Sequence, residues 1–211
     1  MKKIACTVLC FALVVLSLSS CIVKKDTQDT QTAINLNESY MKSYEKSDAQ
    51  TNYVQIEIEG GAIIIVELYP DVAPITVENF KKLVSQGFYN GLIFHRVIEG
   101  FMIQGGSSDN TNNIAETITG EFQANNITNN LSHERGVISM ARRANPYYNS
   151  ASSQFFIVHE DSKFLDGDYA AFGRVIEGME TVDQIAVVKT DSSDKPLSDV
   201  KIKSVYFIEK P

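Results

Sequence analysis

The chain has 211 residues, of which 44% are hydrophobic and 21% are charged, and its formal net charge at neutral pH is −7. These values are typical of one globular domain with a short additional segment. The acidic balance argues against binding to nucleic acid, because a surface of this charge repels phosphate backbones.

The first twenty residues have the features of a secretory signal peptide. Two lysines follow Met1, and the uncharged run over residues 4–18 is shorter than the about 20 apolar residues that span a bilayer. Residues 18–21 (LSSC) resemble the lipobox of bacterial lipoproteins. The resemblance implies cleavage after residue 20 and lipidation of Cys21, which anchors an extracytoplasmic protein to the cell membrane or outer membrane. The alternatives are an ordinary signal peptide with an incidental cysteine and an uncleaved anchor helix.

Residues 21–52 are predicted to form a lipidated, flexible spacer. They are rich in Lys, Asp, Gln, Thr, Asn and Ser and show no sustained hydrophobic period. All three cysteines of the chain lie within the first 21 residues. The remaining sequence therefore excludes a disulfide framework and a cysteine-based metal site.

A folded domain is predicted for residues 53–211. Residues 54–59 alternate apolar and polar side chains, as in a half-buried strand, and two glycines predict a turn into an apolar strand over 62–69. A helix is predicted from Pro74 to Gly87, with Val77, Phe80, Leu83 and Val84 on its buried face. Further strands are predicted over 92–97, 101–104, 136–141, 154–159, 170–175 and 200–208, and a second helix over 178–187. Many short strands with two helices predict a mainly β domain, a closed or nearly closed antiparallel barrel.

Five segments, in order along the chain, resemble the signature of the cyclophilin family. They are FHRVIEGFMIQGG (94–106), GVISMA (136–141), SQFFI (153–157), FLDG (164–167) and FGRVIEGM (172–179). The resemblance covers residues 53–209. It implies a closed eight-stranded antiparallel barrel capped by two α-helices, and peptidyl-prolyl cis-trans isomerase activity without a cofactor or metal. The implied partners are proline-containing peptides and unfolded exported proteins, and the implied state is a monomer.

The same resemblance assigns roles to individual residues. It implies that Arg96 is the catalytic residue and that Gln104 positions it. The floor for the substrate proline ring is assigned to Phe101, Met102, Phe156 and Leu165, and the border of the peptide groove to His95, Ala141, Arg142, Gln154, Phe164 and Tyr169.

This reaction suits an arginine because it makes and breaks no covalent bond. The X–Pro bond rotates slowly, since its partial double-bond character imposes a barrier of about 18–20 kcal/mol. In the twisted amide the nitrogen gains a lone pair, to which a guanidinium can donate at any physiological pH. No nucleophile, metal or general base is required.

Three groove positions differ from many members of the family. Phe164 stands in place of a tryptophan, which removes an indole N–H and is expected to weaken binding of the inhibitor cyclosporin. Tyr169 replaces a histidine and Arg142 replaces an asparagine. These changes affect peptide contacts and leave the residues assigned to the reaction intact.

Other functions remain as alternatives. A peptide-binding chaperone module with incidental catalysis is favoured by the altered groove, and an envelope adhesin or solute-binding lipoprotein only by the tether. A hydrolase built on Ser139, His133 and Asp166 is disfavoured, because no nucleophile elbow surrounds a serine. The spacing of His95, His133 and His159 matches no metal-ligand pattern.

Overall fold

The computed structural model describes residues 44–108 and 115–211. The predicted signal peptide (1–20), the predicted lipidation site Cys21 and the spacer as far as residue 43 lie outside these ranges. None of the helices in the described ranges is both long enough and apolar enough to cross a membrane.

Eight antiparallel strands form a closed barrel, and two α-helices accompany it. The strands are β1 (Tyr53–Ile58), β2 (Ile63–Leu68), β3 (Ile93–Ile98), β4 (Met102–Gly105), β5 (Val137–Met140), β6 (Phe155–Val158), β7 (Ala171–Glu177) and β8 (Val200–Ile208); the helices are α1 (Pro74–Ser85) and α2 (Met179–Ala186). Around the barrel the strand order is β1-β2-β7-β5-β6-β4-β3-β8, and β8 pairs with β1 to close it. The predicted fold class is confirmed. Two short 3₁₀ turns, Gln123–Asn125 and Lys163–Leu165, were not predicted.

Helix α1 buries the apolar face that its sequence predicts. Its residues Val77, Phe80, Leu83 and Val84 are all buried in the main core. The ring of Phe80 lies 5.1–5.8 Å from the rings of Tyr89, Phe155 and Phe172, measured between centroids. Such aromatic contacts add to the free energy gained by burial. The interior of the barrel is therefore a filled core.

A carboxylate distant in sequence caps the N-terminus of α1. The residue before the helix, Ala73, offers no side-chain cap. Glu121, which is buried, instead accepts hydrogen bonds from the backbone N–H groups of Ile75 at 3.0 Å and Thr76 at 2.7 Å. Pro74 has no N–H, and these bonds satisfy the next two N–H groups, which the helix itself leaves unpaired; a negative charge is favourable there. The cap connects α1 to the segment that precedes β5.

The barrel is covered on one side by residues that the sequence placed in the spacer. Thr51 donates to the Ile208 carbonyl at 2.6 Å, and the Ser47 N–H donates to the Phe207 carbonyl at 2.8 Å. Tyr44 donates its N–H to the side-chain carbonyl of Gln55, a β1 residue that is fully buried. The folded domain thus includes residues before Tyr53, because this segment covers the polar face of β1.

Candidate active site

Nine of the twelve residues to which the sequence assigned catalytic or binding roles surround one cavity. We call this cavity of about 120 Å³ the Arg96 pocket. Its lining residues are Arg96, Phe101, Met102, Gln104, Ala141, Arg142, Phe156, Leu165 and Tyr169.

The register of four strands brings the central residues together. Arg96 on β3 pairs with Gln104 on β4, Gln104 pairs with Phe156 on β6, and Phe156 pairs with Ser139 on β5. Residues directly opposite each other in an antiparallel sheet project from the same face. The neighbouring Phe155 and Ile157 belong instead to the interior core. The Arg96 pocket therefore lies on the outer surface of the barrel.

The floor of the pocket is apolar. Met102, Phe156 and Leu165 belong to a hydrophobic cluster separate from the interior core, with Phe101 packed against it. The turn Lys163–Leu165 supplies Leu165, which is 7% exposed. The surface that this cluster presents suits a small apolar ring, because covering it with such a ring removes apolar area from water.

Arg96 is one of two arginines in the pocket wall, with Arg142, and its side chain is 42% exposed. Its Nε–H donates to the Oδ2 atom of Asp194 at 3.3 Å. The backbone carbonyl of Asp194 also accepts the N–H of Val97, the next residue along β3, at 2.8 Å. The sequence analysis missed Asp194, which lies 98 positions after Arg96. An aspartate in a polar loop carries no local signal of such a contact.

The side chain of Gln104 has a different partner from the one expected. Its amide donates to the Oε1 atom of Gln154 at 2.9 Å. Gln104 lies opposite Arg96 across β3 and β4, and both side chains line the pocket. In the described part of the chain, the side-chain hydrogen bond of Arg96 goes to Asp194.

Arg142 is enclosed by aromatic rings and is only 3% exposed at its side chain. Its guanidinium carbon lies 4.7 Å from the ring centroid of Tyr169, 5.1 Å from that of Phe122 and 5.5 Å from that of Tyr148. Its Nε–H donates to the backbone carbonyl of Asp168 at 2.8 Å. Arg142 is therefore a fixed part of the pocket wall, because cation–π contacts and hydrogen bonds hold its guanidinium in place.

Three predicted groove residues lie beside the pocket. Gln154 contacts the lining through Gln104. Phe164 is 72% exposed and packs its ring 5.4 Å from that of Phe101, measured between centroids. His95 is half-buried on β3, next to Arg96.

Behind the floor, the structure joins three residues that the sequence analysis had considered as a hydrolase triad. The Nδ1 atom of His133 lies 2.8 Å from the Oδ1 atom of Asp166, and its Nε2 atom lies 3.0 Å from the Oγ atom of Ser139. Ser139 is fully buried and His133 is 1% exposed, so a substrate cannot reach the serine. The His133 ring stacks on Phe156 at 6.0 Å between centroids. This network therefore supports the pocket floor.

The pKa directions favour a neutral His133 beside an ionised Asp166. Burial lowers the pKa of His133 and outweighs the opposing hydrogen bond and charge of Asp166. Burial raises the pKa of Asp166, but hydrogen bonds from Ser132 and His133 outweigh it, and the net pKa is below the ordinary value. A neutral imidazole has one N–H, and the ring nitrogen that faces a carboxylate carries it; in His133 this nitrogen is Nδ1. The Nδ1–H then donates to Asp166, and Nε2 accepts the hydroxyl proton of Ser139.

Within residues 44–108 and 115–211, no three side chains of His, Cys, Asp or Glu form a group that could hold a metal ion. The Arg96 pocket joins two arginines, the half-exposed Arg96 and the enclosed Arg142, to an apolar floor. Such an arrangement can hold an apolar ring while it donates hydrogen bonds to a polar group beside that ring.

Comparison with known proteins identifies relatives over the whole barrel. The family model described as "Cyclophilin type peptidyl-prolyl cis-trans isomerase/CLD" matches residues 53–207. A peptidyl-prolyl cis-trans isomerase of Acinetobacter baylyi is 46% identical in an alignment of 153 residues that covers 68% of this chain and 79% of the relative. One from Schizosaccharomyces pombe is 42% identical over 140 residues, 66% of this chain and 88% of the relative.

Solved structures agree with this result. The crystal structure of a cyclophilin type peptidyl-prolyl cis-trans isomerase of Cryptosporidium parvum superimposes with a TM-score of 0.68 at 31% identity, covering 76% of this chain and 99% of that one. A second structure of that protein, determined in the presence of the dipeptide Ala-Pro, gives a TM-score of 0.66 at 32% identity, covering 75% and 99%.

Proposed function

The chain belongs to the cyclophilin family and is a peptidyl-prolyl cis-trans isomerase, and from this we propose that Arg96 provides the catalysis by stabilising the twisted X–Pro amide. The observation that carries the proposal is the position of Arg96 in the wall of a pocket with an apolar floor. The proposed substrates are proline-containing peptide segments. The isomerase from Cryptosporidium parvum studied with Ala-Pro supports this substrate class.

The proposed mechanism rests on differential binding of the twisted state. In the planar amide the proline nitrogen is conjugated with the carbonyl and is a poor acceptor. As the bond rotates, the nitrogen becomes pyramidal and its lone pair can accept a hydrogen bond from the guanidinium. A donor placed in this way is typically worth about 3–4 kcal/mol in the transition state. Only an interaction stronger in the transition state than in the ground state accelerates the rotation.

The apolar floor has a separate role in this mechanism. Phe101, Met102, Phe156 and Leu165 would hold the proline ring while the preceding part of the peptide turns. Burial of the ring contributes about 25 cal/mol for each Å² of apolar surface removed from water. This term is similar in the cis, trans and twisted states, so it governs peptide binding more than rate.

The test is cis-to-trans exchange of an Ala-Pro peptide, compared between the wild type and Arg96→Ala. We expect the substitution to lower kcat about 100-fold or more, which corresponds to the loss of about 3 kcal/mol of transition-state stabilisation. Arg174→Ala is the matched control: Arg174 also lies on a barrel strand and is 39% exposed, but it pairs with Glu134 outside the pocket. Equal activity of Arg96→Ala and Arg174→Ala would refute the role of Arg96.

We also propose that the enzyme is an extracytoplasmic lipoprotein that assists the folding of exported proteins. The proposal rests on residues 1–21, where a charged start, an apolar run and a lipobox-like segment precede Cys21. In cells supplied with a palmitate analogue, the wild type should be labelled and sediment with membranes. A Cys21→Ser variant should lose both properties, and labelling that survives this change would refute the proposed anchor site.

A further inference from the structure

The loop between α2 and β8 presents Asp194 to Arg96. We call residues 189–197 the Asp194 loop. The Asp194 carboxylate accepts the Arg96 Nε–H at 3.3 Å, and the Asp194 backbone carbonyl accepts the Val97 N–H at 2.8 Å. The loop is therefore attached to β3 at two consecutive residues, by side chain and by main chain.

The Asp194 loop is held in shape by its own hydrogen bonds. The Oδ1 atom of Asp191 accepts the N–H groups of Ser193 at 2.8 Å and Lys195 at 3.0 Å. The Asp191 N–H donates to the Lys195 carbonyl at 2.8 Å, and the Leu197 N–H donates to the Lys189 carbonyl at 2.9 Å. A side chain that bonds to the backbone two and four residues further on fixes a turn. The turn thus fixes the backbone from which the Asp194 side chain projects.

The backbone of Asp194 has a conformation that few residue types adopt. Its φ angle is +63°. Residues with a Cβ atom rarely adopt this left-handed conformation, and Asn and Asp adopt it more readily than other non-glycine residues. The position therefore accepts Asp, Asn and Gly without added strain, and this determines which substitutions can test the side chain alone.

We propose that Asp194 is a positioning residue that holds the Arg96 guanidinium by its Nε–H, so that the Nη groups remain available to the substrate amide. A guanidinium has five N–H donors in a fixed planar arrangement, so fixing one edge fixes the direction of the others. An arginine without such a contact samples many rotamers, and ordering it at the transition state would raise the barrier. The inference rests on the proposed role of Arg96.

A positioning role has a distinct kinetic signature. The apolar floor of the Arg96 pocket binds the proline ring, and Asp194 is not among the residues that line the pocket. Removal of the carboxylate should therefore lower kcat and leave KM nearly unchanged. A role confined to loop stability would lower the urea midpoint of unfolding without this selective loss of kcat.

The experiment measures kcat and KM for Ala-Pro peptide exchange by the full-length chain. Asp194→Gly removes the side chain at a position where glycine fits, and Asp194→Asn keeps an oxygen acceptor without the charge. Asp199→Asn is the control: Asp199 is exposed, and in the described part of the chain it makes no ion pair. We expect Asp194→Gly to lower kcat about 3- to 10-fold, as for the loss of one partly exposed hydrogen bond to a charged group. Asp194→Asn should lower kcat by less, because its amide oxygen can still accept the Arg96 Nε–H.

A double-mutant cycle separates this inference from the proposal on which it rests. If Asp194 acts through Arg96, Asp194→Gly should have no further effect on kcat in an Arg96→Ala background. If Asp194→Gly lowered kcat by the same factor in the wild-type and Arg96→Ala backgrounds, the positioning role alone would be overturned. The same conclusion would follow if Asp194→Gly kept the wild-type kcat while Arg96→Ala was inactive. Full activity of Arg96→Ala would overturn the role of Arg96 and this inference together.

Discussion

Glu121 provides a quantitative test of how a distant residue stabilises the fold next to the site. Its carboxylate accepts two N–H groups of helix α1, at 3.0 Å from Ile75 and 2.7 Å from Thr76, and Thr76 is fully buried. Loss of a helix cap costs about 0.5–2 kcal/mol, and a buried polar group left unpaired costs about 1–3 kcal/mol. Because both effects apply to Glu121→Ala, we expect a loss of about 2–4 kcal/mol in the free energy of unfolding.

The assay for this prediction is equilibrium unfolding in urea. With an m-value near 2 kcal/mol/M, the expected loss lowers the midpoint by about 1–2 M. Glu121→Gln should lose roughly half as much, since its carbonyl oxygen still accepts one N–H. Glu116→Gln is the control, because the Glu116 side chain is 89% exposed and its only described ion pair spans 3.9 Å. An unchanged midpoint for Glu121→Ala, or an equal loss for Glu116→Gln, would refute the reasoning.

Three further predictions concern the residues around the pocket. Because the pKa of His133 is lowered in the folded state, its contribution to stability is fully present above the unfolded-state pKa of about 6.5 and falls as the pH drops below it. The free energy of unfolding in urea should therefore decrease between pH 7.5 and 5, by at most about 1.4 kcal/mol per pH unit. His133→Gln should reduce this slope. Arg142→Lys should lower the free energy of unfolding by about 1–2 kcal/mol, because an ammonium cannot stack on the surrounding rings. Thermal unfolding tests this, with Arg174→Lys as the comparison, since Arg174 is 39% exposed and pairs with Glu134. Phe164→Trp should increase cyclosporin affinity several-fold, because it restores an indole N–H donor; isothermal titration calorimetry of the variant and the wild type, which has no tryptophan, tests it.

The barrel was predictable because its elements have local signals. Alternation in residues 54–59 and the apolar face of Pro74–Ser85 indicated a strand and a helix, and both are confirmed. Four of the five family segments contain seven of the nine lining residues, since these segments supply neighbouring strands and turns; Arg142 and Tyr169 lie outside the segments. The extent of β7 was underestimated at its C-terminal end, where pairing of Ile65 with Glu177 extends the strand past residue 175.

The contacts that were missed join residues far apart in sequence. Asp194 reaches Arg96 from a loop, and Glu121 caps a helix that begins 47 residues earlier, at Pro74. His133 and Asp166, 33 positions apart, were considered with Ser139 and set aside for lack of a nucleophile elbow; the structure joins them by a hydrogen bond and buries His133. In each case a polar group meets a partner that only the folded chain brings near. Periodicity and propensity describe neighbours along the chain and contain no information on such pairs.

The position of the Arg96 pocket on the outside of a filled barrel determines how a client chain is handled. A polypeptide does not have to thread through a channel or present a free end, because an internal proline can bind to the outer surface of the barrel. The enzyme is thus suited to acting on many prolines, one after another, along one long, unfolded chain.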